Sequence, residues 1–277
     1  MMAGSREINI GVSSTLTHVP GKERIPGPQQ RFAQNRGSEV EMSTFVLVHG
    51  AWRGQWCWSR VVPALRALGH EVHAPSLTGL ADRSHLASPA VDLDTHILDI
   101  VNLLKWEDLS EVVLCGHSYA GFVITGVADR VPKRLRTLVY LDAFLPEHGM
   151  SMLDATLPAR RAAHLGRVDH EGGGWMVKPP MSTQADDEDR RWISRSSTAH
   201  PLRCLEQKLI LRGPIDSRLR RVYVEATEFS PSPFRQLAAR LRRQPDWQVH
   251  AVAAGHDVMI ERPDELVRVL LAAEHDS

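Results

Sequence analysis

The chain has 277 residues, 43% of them hydrophobic, which is enough for one large α/β domain or two small ones. Its 33 basic and 33 acidic side chains balance, which gives no reason to expect nucleic acid or an anionic membrane as a partner. Three widely spaced cysteines predict neither a disulfide framework nor a zinc knuckle and fit a cytoplasmic location. No apolar run reaches the roughly 18 residues needed to span a bilayer.

Residues 1–41 differ in composition from the rest of the chain. They carry Gly, Pro, Gln and Arg, include "PGKERIPGPQQ" and show little periodicity, which predicts a disordered extension. The apolar pattern begins abruptly at "MSTFVLVHG". Met42 is therefore a candidate for the natural start, with the preceding residues an artefact, and a functional N-terminal arm is the alternative.

From Phe45 onward, short apolar strands alternate with amphipathic helices. Strands are predicted at residues 45–48, 71–74, 112–115, 135–141, 221–226 and 248–253. Helices are predicted at residues 58–68, 94–105, 119–131, 234–242 and 263–274. This alternation is typical of an α/β fold with a mainly parallel, doubly wound sheet and helices on both faces.

Residues 144–215 interrupt the alternation and are too long for a plain loop. We expect a mostly helical cap insertion over the carboxyl ends of the strands, and a structural insertion without ligand contact is the alternative. Trp175, Met176 and Trp192 are its candidate pocket residues, and they favour an apolar acyl or alcohol group. Trp52 and Trp56, after the first strand, either face the pocket or pack the first helix.

The segment "VVLCGHSYAGFVITGVADR" places Ser118 on a tight turn between a strand and a helix. In α/β sheets, ligands bind beyond the carboxyl ends of the strands, where this serine lies. Gly116 and Ala120 are small, as a strained strand-to-helix turn requires. The short motif alone is weak evidence for a nucleophile, and stronger evidence comes from its context, an apolar strand before it and a helix after it in an alternating fold. Ser118 is therefore the candidate nucleophile, against the alternative of a small-residue turn without function.

A serine hydroxyl needs a base, and the base needs an orienting carboxylate. His256, in "AVAAGHDVM", follows the last strand and should reach the same sheet edge as the serine. Asp142 closes the strand after the nucleophile helix and is the favoured acid. Glu228 is the alternative acid, and a structural role is the alternative for Asp142. His49 is expected to shape a turn and His117 to point away, into the structure.

The tetrahedral intermediate of acyl transfer needs two backbone N–H donors. Tyr119, directly after the nucleophile, should supply one of them, and the helix that begins there also directs its positive end toward the site. The loop "HGAWRGQWCW" should supply the other donor. Ala51 is the favoured residue for this oxyanion hole, with Trp52 as the alternative.

Four segments, "FVLVHGAWRGQWCW", "GHSYAG", "VYLDAFLPEHG" and "GHDVMIERPDEL", resemble the α/β-hydrolase superfamily. They are most similar to the branch of bacterial carboxylesterases, plant methyl esterases of the salicylate-binding type and hydroxynitrile lyases. The resemblance covers about residues 42–277. It implies an α/β-hydrolase domain over that range and an enzyme of the Ser-His-acid type. It also implies no cofactor, no metal and an apolar pocket under a helical cap.

The sequence departs from parts of this branch. Phe229 stands about where plant methyl esterases carry their acid, so the chain is similar to a subgroup with the acid one strand earlier. Hydroxynitrile lyases of the branch carry Thr and Lys where this chain has Gly50 and Asp257, which disfavours cyanohydrin cleavage. Ser118 argues against epoxide hydrolases and haloalkane dehalogenases, which use an aspartate nucleophile.

Together these patterns predict a serine carboxylesterase for small to medium, uncharged apolar esters. Its partner is a small-molecule substrate, and the protein is expected to be a monomer or a homodimer. Lactone hydrolysis is the nearest alternative because it uses the same groups. A non-catalytic ligand-binding receptor, or a cofactor-free lyase or oxygenase on the same fold, is the alternative of another class.

Overall fold

A computed structural model describes residue 1, residues 42–181 and residues 187–274. The predicted N-terminal extension therefore lies, apart from its first residue, outside the described residues. In the described ranges, no helix is both long enough and apolar enough to cross a bilayer.

A six-stranded sheet with the order β2-β1-β3-β4-β7-β8 forms the centre of the described residues. Every neighbouring pair in this sheet is parallel. The strands are β1 (Thr44–Val48), β2 (Glu71–His73), β3 (Val112–His117), β4 (Leu135–Leu141), β7 (Arg220–Ala226) and β8 (Trp247–Val252). The parallel α/β sheet is confirmed, and its central strands β1, β3, β4 and β7 are largely apolar and largely buried, whereas the edge strands β2 and β8 are partly exposed.

Helices flank the sheet. Outside the segment between β4 and β7 they are α1 (Val62–Ala67), α2 (Leu93–Trp106), α3 (Ala120–Arg130), α8 (Arg235–Leu241), α9 (Val258–Glu261) and α10 (Pro263–Ala272). The helix predicted at residues 58–68 begins later than expected. Gln55–Trp58 is a 3₁₀ turn, and α1 begins only at Val62. Pro63 lies in the first turn of α1, where the missing N–H of proline does no harm.

The segment between β4 and β7 combines short helices with a small sheet. Its elements are α4 (Met152–Ala155), α5 (Pro158–Leu165), β5 (Met176–Val177), α6 (Asp187–Ser196), β6 (His200–Pro201) and α7 (Leu202–Glu206). Strands β5 and β6 pair antiparallel, although the sequence predicts no strand here. A two-residue strand is too short to show an alternating pattern, which explains why it was missed.

The register of the sheet positions three chain turns at one edge. The last residue of β3, His117, is paired with the last residue of β4, Leu141. The last residues of β7 and β8, Ala226 and Val252, are paired as well. The residues that follow β3, β4 and β8 therefore emerge side by side at the carboxyl edge of the sheet, where ligands bind in this class of fold.

Candidate active site

Ser118 follows β3 directly and adopts a left-handed backbone conformation with φ of 55°. Such a conformation is strained for a residue with a side chain and is held by its surroundings. The Ser118 N–H donates to the Leu141 carbonyl at 3.1 Å, and the Ser118 carbonyl accepts from the Phe144 N–H at 3.2 Å. A Cβ at Gly116 would lie 2.8 Å from the Ala120 carbonyl oxygen, so the turn requires glycine there.

A continuous chain of hydrogen bonds joins the three predicted side chains. His256 Nε2 lies 2.9 Å from Ser118 Oγ, and His256 Nδ1 lies 2.6 Å from Asp142 Oδ2. With an ionised carboxylate, Nδ1 carries the hydrogen and Nε2 is left to accept from the serine hydroxyl. This arrangement lets the imidazole remove the proton from the hydroxyl as it attacks a carbonyl carbon.

Asp142 is the carboxylate that the structure brings to His256. It is fully buried, its φ is 39°, and its Oδ1 accepts from the Ala226 N–H at 3.3 Å. Burial raises the pKa of the Asp142 carboxyl, which the hydrogen bond from His256 opposes. Glu228 is exposed, and its backbone N–H donates to the Ala254 carbonyl. Of the two candidate acids, only Asp142 contacts His256.

Phe229, which stands about where plant methyl esterases carry their acid, packs on the base. Phe229 stacks on the His256 imidazole with ring centroids 4.6 Å apart and an angle of 23° between the planes. Phe234 lies nearly parallel to the same imidazole at 5.9 Å. The sequence marks Phe229 only as a departure from a family pattern. Its packing role depends on ring orientation, which spacing does not reveal.

The loop after β1 approaches the nucleophile turn closely. A Cβ at Gly50 would lie 2.8 Å from His117 Nδ1 and 3.0 Å from the Ser118 Cβ, so only glycine allows this approach. His49 shapes the loop, because its Nδ1 lies 2.9 Å from the Gly50 carbonyl and its Nε2 accepts from the Leu77 N–H. Burial lowers the pKa of His49 to about 4.

The candidate oxyanion donors differ in their availability. Within the described part of the chain, the N–H groups of Ala51 and Tyr119 donate to no other group. The Trp52 N–H donates to His200 Nδ1 at 3.3 Å. The geometry therefore leaves Ala51, rather than Trp52, free to bind a developing oxyanion together with Tyr119.

A buried ion pair joins the loop after β1 to the loop that carries the base. Arg53 Nε and Nη2 donate to the two carboxylate oxygens of Asp257 at 3.0 and 2.9 Å. Burial by itself would raise the pKa of Asp257, but the Arg53 guanidinium holds it well below its usual range. Arg53 Nη1 also donates to Ser197 Oγ. Sequence reasoning missed this pair, whose members are 204 positions apart.

His117 is buried, as expected, but it also contacts the base. His117 Nε2 donates to the His256 carbonyl at 2.9 Å, and the two rings lie 4.5 Å apart. Burial, followed by the charge of His256, lowers the pKa of His117 well below its usual value. His117 is therefore a neutral donor that fixes the backbone of the His256 loop.

A cavity of about 260 Å³ lies over the serine and is lined by Ser118 and His256. Its apolar walls include Trp52, Phe144, Met152 and Phe234. Besides Arg53 and His117, three polar side chains from one stretch of chain also line the cavity, and they are Arg160, His164 and Arg167. The wall is therefore mostly apolar, with one polar side formed by these three residues.

Trp52 is the one predicted pocket residue that lines the cavity. The structure does not bring Trp175, Met176 and Trp192 to it. Trp192 packs edge-on against Trp56 with ring centroids 5.3 Å apart. Met176 lies in β5, and the Trp175 carbonyl accepts from the Leu202 N–H. Apolar residues in short cap elements carry no periodicity, so their sequence does not reveal which side they face.

The described residues contain one group of metal-ligand type, formed by His96, His200 and Cys204 beneath Tyr119. Both ring nitrogens of His96 already have partners, the Tyr119 hydroxyl and the Thr78 carbonyl. Burial raises the pKa of the Cys204 thiol well above its usual value, which disfavours the thiolate that binds metals. The chemistry of the group fits a hydrogen-bonded core cluster that supports the Tyr119 side chain.

This fold and this edge of the sheet define the class of the protein. Residues 45–269 match the model of the alpha/beta hydrolase family, and the chain belongs to that family. The chain is 42% identical over 240 residues to the carbendazim hydrolyzing esterase of Nocardioides sp. (strain SG-4G), covering 83% of this chain and 99% of that protein. The chain is thus an ester hydrolase of the α/β-hydrolase fold.

More distant relatives agree with this assignment. The putative methylesterase 11, chloroplastic, of Arabidopsis thaliana is 24% identical over 250 residues, or 84% of this chain and 64% of that protein. The solved structure of an extracellular alpha/beta-hydrolase from a Paenibacillus species superposes with a TM-score of 0.74 at 24% identity. It covers 84% of this chain and all of that one, which shows the shared fold.

Proposed function

We propose that the protein is a serine carboxylesterase that works through an acyl-enzyme. The observation that carries this proposal is the hydrogen-bonded chain from Ser118 Oγ through His256 to the buried Asp142. Ser118 Oγ attacks the ester carbonyl while its proton passes to His256 Nε2. Asp142 orients the imidazole and stabilises the imidazolium that forms.

The remaining steps use the same groups. The N–H groups of Ala51 and Tyr119 bind the oxyanion of the tetrahedral intermediate. His256 then gives its proton to the leaving alcohol as the carbon–oxygen bond breaks, which leaves the acyl group on Ser118. A water molecule, deprotonated by His256, attacks the acyl carbonyl, and collapse of the second intermediate releases the acid.

We propose small to medium esters as substrates, with methyl carbamates as a second group to be tested. The cavity of about 260 Å³ and its walls from Trp52, Phe144 and Phe234 support a compact substrate with an apolar or flat part. The name of the Nocardioides relative supports carbendazim, a methyl carbamate, as a test compound. A carbamate carbonyl would be attacked by the same serine with loss of methanol.

A kinetic comparison tests the proposal. Wild type and Ser118→Ala are assayed with p-nitrophenyl esters of increasing chain length and with carbendazim, and both are treated with a fluorophosphonate. We expect wild type to hydrolyse short or medium esters and to be labelled, and the variant to do neither. Turnover of lactones alone would favour the lactonase alternative. The proposal would be contradicted if the fluorophosphonate did not label wild type and wild type hydrolysed no ester and no lactone.

We also infer a cytoplasmic location and a small-molecule partner. The three cysteines are buried and unpaired, which suits a reducing compartment. The equal numbers of basic and acidic side chains give no support to a nucleic-acid or membrane partner. Cell fractionation tests the location, and size-exclusion chromatography distinguishes a monomer from a homodimer, the two states that the sequence leaves open.

A further inference from the structure

One side of the cavity is formed by three nitrogen-bearing side chains from a single stretch of chain. Arg160 and His164 are four positions apart on α5, and Arg167 follows three positions later, just after the helix ends. This spacing places successive side chains on one face of a helix and its following turn. All three line the cavity that contains Ser118.

The two guanidinium groups in this wall have backbone and aromatic partners among the described residues, but no carboxylate in direct contact. Arg160 donates to the Pro231 carbonyl at 2.8 Å and stands 5.1 Å over the Phe229 ring. Arg167 donates to the Lys178 and Ala163 carbonyls. Among residues 42–181 and 187–274, neither forms an ion pair with a carboxylate. Two positive charges therefore stay partly buried beside the nucleophile without a carboxylate in direct contact, although the Asp142 carboxylate acts on Arg160 from a distance.

His164 adds a third donor to the same wall. Its Nδ1 accepts from Arg167 Nη2 at 2.7 Å, so the hydrogen of the neutral ring is on Nε2. Within the described residues, that Nε2 has no hydrogen-bond partner although it is buried. Burial, and then the two arginines, lower the pKa of His164 to about 4. The ring is therefore neutral at physiological pH and adds no further positive charge.

The neighbouring Arg161 shows what an ordinary surface arginine does on the same helix. It is exposed, does not line the cavity, and its Nη1 lies 3.7 Å from the Asp154 carboxylate. Arg160 differs in both respects, because it is partly buried and no carboxylate in the described part of the chain forms an ion pair with it. An unpaired charge that is withdrawn from water costs free energy unless a ligand compensates it.

We propose that the cavity accepts esters that carry a free carboxylate, bound by Arg160 and Arg167 while Ser118 attacks the ester group. This inference rests on the esterase function proposed above and names its substrate class as monoanionic half-esters of dicarboxylic acids. Arg160 is the main anchor, because within the described residues only one of its five N–H groups donates a hydrogen bond, and a planar fork of two others suits a carboxylate. This differs from the uncharged esters that the sequence predicts.

A matched pair of esters tests the inference. Monomethyl terephthalate carries a carboxylate opposite its methyl ester, and methyl 4-carbamoylbenzoate carries a neutral amide of nearly the same shape. Monomethyl isophthalate, with the carboxylate one ring position closer, probes the spacing. We expect wild type to prefer at least one of the two acids over the amide by roughly tenfold or more in kcat/KM, measured by methanol release.

Variants of the wall assign the preference to its residues. Arg160→Met should remove most of the preference and Arg167→Met part of it, where the preference is the ratio of kcat/KM for the acid ester to kcat/KM for the amide ester in the same variant. Arg160→Lys should restore part of the preference because it keeps the charge without the fork. Arg161→Met is the matched control and should leave the preference unchanged.

Calorimetry of the binding of both esters to Ser118→Ala separates failure of this inference from failure of the esterase function. Monomethyl terephthalate should bind this variant more tightly than the amide, and Arg160→Met should abolish the difference. Equal binding of the two esters, or a preference that survives both arginine substitutions, would overturn the inference and leave the esterase function standing. Tighter binding of the acid without any hydrolysis by wild type would keep the anion site and contradict the esterase proposal.

Discussion

The carboxyl edge of the sheet and the cap contribute to the same cavity in different ways. At the edge, Ser118 and Asp142 leave neighbouring strands in left-handed conformations, with φ of 55° and 39°, and the backbone determines where their side chains lie. In the cap, Arg160 and Arg167 reach the cavity through long side chains from a short helix and the turn after it. Substitutions at the edge should therefore change the rate with every ester, and substitutions in the cap should change which ester is preferred.

The largest effect is expected at the edge, in Asp142→Asn. The amide keeps the shape but cannot stabilise the imidazolium or hold the same tautomer, so kcat should fall by on the order of 10⁴. The fall should be similar for the acid and amide esters described above, because His256 serves both. Steady-state kinetics with both esters measure it.

Glu228→Gln is the matched control for Asp142→Asn. Glu228 is exposed and does not contact His256, so its substitution should leave kcat within about twofold of wild type. A strong loss in Glu228→Gln, together with an active Asp142→Asn, would move the acid to the other strand and contradict the arrangement seen here.

The next effect concerns stability at the edge, where Arg53 and Asp257 join two loops. Their side chains are only 9% and 7% exposed, so removal of one partner leaves a buried, uncompensated charge. Arg53→Met should lower the free energy of unfolding by about 3–5 kcal/mol. The double variant Arg53→Met/Asp257→Leu should lose less than Arg53→Met alone, because no unpaired charge remains. Urea denaturation measures both.

An exposed ion pair provides the comparison for this experiment. Asp108 is paired with Arg134, but its side chain is 93% exposed. Asp108→Asn should change the free energy of unfolding by no more than about 0.5 kcal/mol. If Arg53→Met were as mild as Asp108→Asn, the buried pair would not be what holds the two loops together.

A smaller effect on stability is expected from His49, which follows β1 at the same edge of the sheet. Burial lowers its pKa to about 4. In the unfolded chain its pKa is about 6.5, so the unfolded state binds the proton first as the pH falls. The contribution of the neutral His49 to the free energy of unfolding is therefore complete above pH 6.5. It falls by roughly 3 kcal/mol as the pH is lowered to 4. His49→Gln should reduce this acid-induced loss, measured by urea denaturation across the pH range.

His170 is exposed and serves as the control for the pH experiment. His170→Gln should leave the pH dependence of stability as it is in wild type. Identical acid profiles for wild type and His49→Gln would show that the buried imidazole does not contribute in this way.

The difference between the two regions also explains what the sequence could predict. Ser118, Asp142 and His256 each follow an apolar strand, so strand order and a shared edge were sufficient to propose them as a group. The Arg53–Asp257 pair was missed because nothing in the sequence links residues 204 positions apart. Each partner lies inside a family motif, and Asp257 stood out only as a departure from hydroxynitrile lyases.

In the cap, the composition indicated an apolar pocket, but the structure places other residues in its wall. Trp175, Met176 and Trp192 were chosen for their size, and they lie in elements that do not face the cavity. Nothing in the sequence marks Arg160 and Arg167 as cavity residues, because a charged residue on a short helix is most often exposed. Which face of a short helix turns inward depends on packing against the sheet, and one turn of periodicity does not reveal it.

The smallest effect is expected at Phe229, where the two regions meet. Its ring lies between the His256 imidazole, at 4.6 Å, and the Arg160 guanidinium, at 5.1 Å. Phe229→Leu keeps an apolar side chain but loses both ring contacts, each worth about 1 kcal/mol. We expect kcat/KM to fall by roughly 2- to 10-fold for every ester, and the preference for the carboxylate to fall as well.

Phe122→Leu is the matched control, because that buried ring packs on Phe144 rather than on the base. It should cost stability without changing the preference. If Phe229→Leu changed the rate but not the preference, the ring would act on the base alone, and Arg160 would hold its place without it.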